Sequence, residues 1–280
     1  LPPRQLPVVK SASGIACYLY RQPMMALLPR DETMPATLTP TAPLDAPAFR
    51  PGQPSQTNGH LTPASDPLAF NSAGYPAFFD QAPTLTVQDG LARFLGATRD
   101  GILTYRYLDA VRLAGHSCPT VAGSWLMVIR GLKALYGDDI PERGNIDVLM
   151  RDERNAGTTG VIASVATLLT GAAAETGFHG IGPVHRFKRQ DLLQYGAASI
   201  DGMLVLKRRD TGAAVQVELN AGIIPFHPDM QALLPKAVSG YATPAEMQRF
   251  GEVWQERVRA ILIDHADDDE LVQIRPWSSA

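Results

Sequence analysis

Proline divides this chain before any other pattern is considered, because 14 of its 23 prolines fall within residues 1–76. Each proline fixes φ and removes a backbone donor. Neither a helix nor a paired strand can therefore run through Thr39-Pro40-Thr41-Ala42-Pro43 or Arg50-Pro51-Gly52-Gln53-Pro54-Ser55. Such stretches also carry too little apolar surface to offset the entropy of ordering them. Residues 1–76 are expected to form a mostly disordered tail that leans toward polyproline II. Gly14 to Leu28, with Cys17, Tyr18, Leu19, Tyr20, Met24 and Met25, is the strip of that tail best suited to dock on a folded domain.

Beyond the tail, 45% hydrophobic residues are enough for a sizeable core. A net charge of −3 supplies no general field for nucleic acid or an anionic membrane surface, so neither partner is expected. No apolar run of the roughly 18 residues that a membrane helix needs is present. The first residue is Leu, and its surroundings lack the basic start and apolar centre of a signal peptide. The two cysteines, Cys17 and Cys118, lie in regions of different character. A disulfide framework is therefore not expected, and a reducing cytoplasm is the default location.

From about Thr84 the texture changes. Leu91, Phe94 and Leu95 suit a short helix, and Tyr107, Leu108, Val111 and Arg112 follow at helical spacing as far as Gly115. Pro119 then opens another helix at its preferred first position, with Cys118 near the N-cap. Val121, Trp125, Val128, Ile129, Leu132 and Leu135 give that helix a buried stripe up to Gly137. Asn145 to Met150 alternates as a strand, and Thr158 or Thr159 caps a helix that ends at Gly171. Met203 to Leu206 and Ala214 to Glu218 read as a hairpin around Asp210-Thr211-Gly212. Thr243-Pro244-Ala245-Glu246 is a capping box that starts a last helix through Met247, Phe250, Trp254, Val258, Ile261 and Leu262. This order predicts an α+β fold with helices packed on one face of a small mixed β-sheet. The domain is expected over residues 84–265, with 266–280, which includes Asp267-Asp268-Asp269-Glu270, as an acidic C-terminal tail. No Gly-x-Gly-x-x-Gly follows a strand, so a dinucleotide fold is excluded.

The chemistry is expected at Gly115-His116-Ser117-Cys118-Pro119. A cysteine at a helix N-terminus meets the positive end of the macrodipole, which favours thiolate over thiol. A thiolate beside an imidazole is either a pair of metal ligands or an activated nucleophile. A catalytic zinc takes three protein ligands and a water. The third ligand is sought in the glycine-rich stretch that carries His179 and His185, and His116, Cys118 and His179 make up that count. The plainer reading keeps Cys118 as a small buried hydrophobe and His116 as a surface residue. Asp152, Glu153 and Arg154, just past a strand, are placed to line a pocket.

Leu108-Asp109-Ala110-Val111-Arg112-Leu113-Ala114-Gly115-His116-Ser117-Cys118-Pro119 resembles the Gly-His-x-Cys-Pro signature of the FmdE-like proteins, named after a component encoded with molybdenum formylmethanofuran dehydrogenase. The strand of Asn145 to Met150 and the helix ending Leu168-Leu169-Thr170-Gly171 fall where that family has its next strand and helix, and the likeness spans roughly residues 95–220. The resemblance implies a fold shared with the catalytic domain of glyceraldehyde-phosphate dehydrogenase, a homodimer, and a metal-associated cleft at His116 and Cys118. Where family members often carry a further Cys, this chain has Thr158 and Thr159, and no cysteine follows Cys118. His179 then stands in for a lost sulfur ligand.

Three functions follow as expectations. The first is a protein binding zinc or another transition metal, with room for an enzymatic role on an unidentified small molecule. The second is a metal-independent thiol enzyme with Cys118 as nucleophile and His179 or His185 as its base. The third is a non-enzymatic accessory or carrier protein that engages a partner through its proline-rich tail.

Overall fold

The computed structural model describes residues 68–197 and 199–278. Most of the proline-rich tail, with Cys17 and the Gly14 to Leu28 strip, lies outside the described residues. The stretch from 68 to 76, which its composition assigns to the tail, makes a tight turn. Asn71 Oδ1 accepts the amides of Ala73 and Tyr75 at 3.1 Å, and Phe70 bridges to Pro76. A 3₁₀ turn, Ala77–Gln81, then buries Phe78 and Phe79.

The chain continues as β1 (Leu85–Asp89), α1 (Gly90–Phe94), β2 (Ile102–Tyr105), α2 (Tyr107–Ala114) and α3 (Pro119–Tyr136). It goes on through β3 (Glu142–Arg143), β4 (Ile146–Met150), α4 (Thr159–Thr170), β5 (Leu193–Gln194), β6 (Leu204–Arg208) and β7 (Ala214–Leu219). Two further helices, α5 (Met230–Ser239) and α6 (Pro244–Arg259), precede a π-helical turn, Ala260–Asp264, and a last strand, β8 (Val272–Pro276).

The fold is α+β, with two sheets where the sequence suggests one. The smaller has the order β2-β1-β3, and the larger β5-β4-β6-β7-β8, with β4 and β5 parallel and the other pairs antiparallel. In the larger sheet Val148, Leu206 and Val215 pair across three strands, as do Met150, Leu204, Val217 and Ile274 across four. Period-2 alternation puts these side chains on one face, against which α3 and α4 pack. α3 comes close because it carries glycine at the contact. A Cβ on Gly131 would stand 2.7 Å from Leu206 and 3.2 Å from Val217, and one on Gly123 would overlap Leu219. Trp125, Leu126, Met127 and Leu132 of α3 are fully buried, so this helix forms the centre of the core.

The segment after residue 266 is not a solvated tail. Asp268 accepts from His265 Nδ1 at 2.8 Å and its carbonyl accepts from Arg130 of α3, while Asp269 pairs with the same guanidinium. The acidic run is thus a tethered turn that feeds Leu271, Val272 and Ile274 into the sheet, where Val272 pairs with Leu219. α5 and α6 form an antiparallel pair with a small core of their own, Met230, Leu233 and Val253. No helix among the described residues is long and apolar enough to cross a membrane.

Candidate metal-donor site at the start of α3

Gly115 ends α2 in the left-handed conformation (φ 74°), its amide bonded to the Val111 carbonyl at 2.8 Å. That reversal costs a glycine little and sends the chain straight into His116-Ser117-Cys118. Cys118 is the N-cap of α3, extended at φ −148° and ψ 167°, with Pro119 as the first helical residue. Its Sγ accepts the Val121 amide at 3.4 Å, the role a Ser or Asp oxygen plays at most helix starts. Cys118 is 9% exposed and is a free thiol, whereas His116 is exposed. His116 Nδ1 lies 2.9 Å from the Ala114 carbonyl oxygen. A carbonyl can only accept, so Nδ1 carries the hydrogen and the neutral ring presents Nε2 as a lone pair.

Ser117, between His116 and Cys118, is held three ways. Its hydroxyl meets Tyr107 Oη at 2.9 Å, and its carbonyl accepts from Trp254 Nε1 at 3.3 Å and Gln255 Nε2 at 3.0 Å. Burial pushes the Tyr107 hydroxyl far above its ordinary range and the Ser117 hydrogen bond offsets only part of that, so it stays protonated. The sequence places Trp254 on the apolar face of the last helix but does not reveal its target, and Gln255 gives no signal at all.

His179 and His185 behave differently. Both are exposed, and His185 Nδ1 donates to the His179 carbonyl at 3.1 Å. Their loop is fastened elsewhere. Arg189 reaches Asp89 at 2.7 Å, and the Phe187 ring lies 5.3 Å from that of Phe94 on α1. His185, Phe187 and Asp191 all adopt positive φ there. Among the described residues no group of three or more His, Cys, Asp or Glu side chains is placed to hold a metal ion. Within one chain, therefore, His116, Cys118 and His179 are not assembled as a three-ligand set. Nor does any described histidine hydrogen-bond Cys118 Sγ.

A second polar cluster is buried around Asp89. Its Oδ1 caps α1 by accepting the Leu91 and Ala92 amides at 2.9 and 3.2 Å and also takes Arg189, while Oδ2 takes Arg143 at 2.8 Å. Burial pushes this carboxyl up, but the Arg143 hydrogen bond, the Arg189 charge and the Ala92 amide outweigh it. The group titrates below the usual carboxylate value. Burial pulls the Arg189 guanidinium down and Asp89 offsets part of that; the Arg189 Nε is buried without a partner among the described residues. Arg143 also donates to the Leu168 carbonyl at 3.1 Å, near the C-terminus of α4. These bonds use up the cluster in joining the smaller sheet to α4.

Glu153 and Arg154 do line a recess, of about 450 Å³, past the carboxyl ends of the parallel strands β4 and β5. Three of its charged groups are already paired, Arg154 with Glu175 inside the recess and Asp191 with a lysine outside its lining. Arg154 makes two 2.7 Å bonds to Glu175 and lies 5.2 Å from the Tyr195 ring centre, and Asp191 takes Lys188 at 2.9 Å.

No family model matches the chain, and no curated protein is similar enough to match it. A solved crystal structure of a tungsten formylmethanofuran dehydrogenase FmdE-like protein from Syntrophus aciditrophicus is similar over 63% of this chain and 74% of that one. The identity is 14% and the TM-score 0.33.

Proposed function

We propose that this chain is a metal-binding protein of the FmdE-like type, with zinc as the fitting ion and His116 Nε2 and Cys118 Sγ as its protein donors. The observation that carries the reading is the His116 Nδ1···Ala114 carbonyl bond at 2.9 Å. A hydrogen bond from the other ring nitrogen to a backbone carbonyl is how metal-ligating imidazoles are commonly oriented. Cys118 adds to it, because its sulfur already acts as an acceptor toward the Val121 amide. An imidazole and a thiolate suit zinc or a similar borderline ion. Two donors leave positions for water, a small-molecule substrate or a residue of a second copy in a homodimer. Zinc with an open position would act as a Lewis acid and lower the pKa of a bound water. The chain's own contribution is to hold the imidazole tautomer, present the sulfur at the helix start and shield it on the core side. Use of only two cysteines suits a reducing cytoplasm.

Metal content and cobalt(II) titration of the full chain in a Cys17→Ser background test the proposal. Near-stoichiometric metal with a sulfur-to-cobalt charge-transfer band, both lost in Cys118→Ser and weakened in His116→Ala, is the expected result. Metal-free protein from a metal-replete preparation, or binding unchanged in both variants, would overturn it.

A further inference from the structure

We infer that α6 is the positioning element of this centre, with Trp254 and Gln255 as positioning residues that hold the peptide between the two donors. This rests on the reading of His116 and Cys118 as donors. Ser117 contributes the carbonyl of the peptide that leads into Cys118, and a peptide unit is planar from one Cα to the next. Orienting that one oxygen therefore orients Cα of Ser117, the Cys118 amide and Cα of Cys118 together. Two donors converge on it, Trp254 Nε1 at 3.3 Å and Gln255 Nε2 at 3.0 Å, enough to occupy both lone pairs of the carbonyl. Tyr107, itself fully buried, fixes the Ser117 side chain from α2 at 2.9 Å. The three holds come from two helices, so Ser117 cannot rotate without breaking bonds to both.

The arrangement at Gln255 exceeds what packing asks of a half-buried residue. Its Nε2 is spent on Ser117, while its Oε1 is buried with no partner among the described residues. A buried amide oxygen left unpaired loses its hydration with nothing to offset the loss. A helix that only covered the core would meet this position more cheaply with Leu or Met. Trp254 has a similar double character. Its ring packs against Phe250 at 5.5 Å and the main core, while its one polar atom points at the donor segment. α6 also belongs to the pair with the small separate core of Met230, Leu233 and Val253. Any displacement of that pair relative to α3 would pull on the Ser117 carbonyl.

The test uses the full chain in a Cys17→Ser background with Trp254→Phe and Gln255→Met, each of which keeps an apolar side chain in place and loses its N–H donor. Gln248→Ala, on the same helix, whose side-chain amide donates to Glu252, is the control. Two readouts are taken: cobalt(II) affinity, and the rate at which iodoacetamide alkylates Cys118 in metal-free protein. Loss of an outer partner of a metal site commonly weakens binding about 10- to 100-fold. We expect about a tenfold loss of cobalt affinity and several-fold faster alkylation in each variant, with Gln248→Ala behaving as the parent. If the parent binds no cobalt, the metal reading fails while the alkylation rates still decide the positioning role. If both variants match the parent in both readouts, α6 is packing alone and the inference is overturned.

Discussion

Replacing Asp89 with Ala removes the carboxylate that two guanidinium groups and two backbone amides share. The side chain is 3% exposed, and its partners lie between 2.7 and 3.2 Å. Breaking a buried ion pair from one side typically costs about 3–5 kcal/mol, because the surviving charge stays buried without compensation. Arg189 is the group left to bear that penalty, since burial already disfavours its charge and its Nε has no partner among the described residues. For a domain of this size each kcal/mol moves the melting temperature by about 2–4 °C. The loss should therefore appear as a drop of roughly 6–20 °C near neutral pH. The pH dependence follows from the direction of the Asp89 shift. A carboxyl whose folded pKa lies below its unfolded value of 3.8 contributes its full stabilisation above that value and loses it as pH falls through the folded pKa. The gap between parent and Asp89→Ala should thus be constant from neutral pH down to about 5 and close below about 4. Circular-dichroism melts across that range are the assay. A variant within about 1 kcal/mol of the parent at pH 7, or a gap that persists unchanged at pH 3, would refute the view that Asp89 works as a buried anion.

Four further outcomes are expected. Gly131→Val should destabilise by about 1–3 kcal/mol in urea unfolding, because the new side chain must displace Leu206 and Val217 from close packing, whereas Gly251→Ala in α6, with no atom within 4 Å of its Cβ position, should stabilise by about 0.5–1 kcal/mol. Thr243→Ala, which removes the hydroxyl that accepts the Glu246 amide at 3.3 Å, should cost about 1 kcal/mol in the same assay. The Glu175 carboxyl, held down to about 2 first by its hydrogen bond from Arg154, should return toward an ordinary glutamate value of about 4.3 in Arg154→Ala, read by carbon-detected NMR titration.

How legible each element is depends on whether its signal is local. The start of α3 can be read because proline at the first helical position and a polar N-cap are rules about adjacent residues. The same holds for the Thr243 capping box, the turn before β7 and the glycine ends of α2 and α4. β1 escapes the sequence because its inward row is Leu85, Val87 and Asp89, and a buried aspartate breaks the apolar alternation that marks a strand. α5 is hidden by Pro235 within it. β8 is lost behind four consecutive acidic residues, and the Arg130 guanidinium that holds Asp268 and Asp269 comes from a helix more than a hundred residues away, a tertiary event. At the candidate site, the His116–Cys118 pair and its place at a helix start are evident from five consecutive letters. The expected third ligand is not assembled, since spacing says nothing about where a loop is fastened, and Arg189 and Phe187 fasten this one to Asp89 and Phe94. Trp254 and Gln255 meet Ser117 across 137 and 138 residues, a separation that no periodicity encodes.

The placement of β8 at the edge of the larger sheet has a consequence for biosynthesis. A ribosome delivers α3 long before Val272–Pro276, yet α3 packs against the finished sheet, including that last strand. During translation the helix that begins at Cys118 must wait with part of its apolar surface uncovered, and the holds from Trp254 and Gln255 also arrive late. Cys118 therefore leaves the ribosome well before Trp254 and Gln255, the side chains that hold the carbonyl beside it.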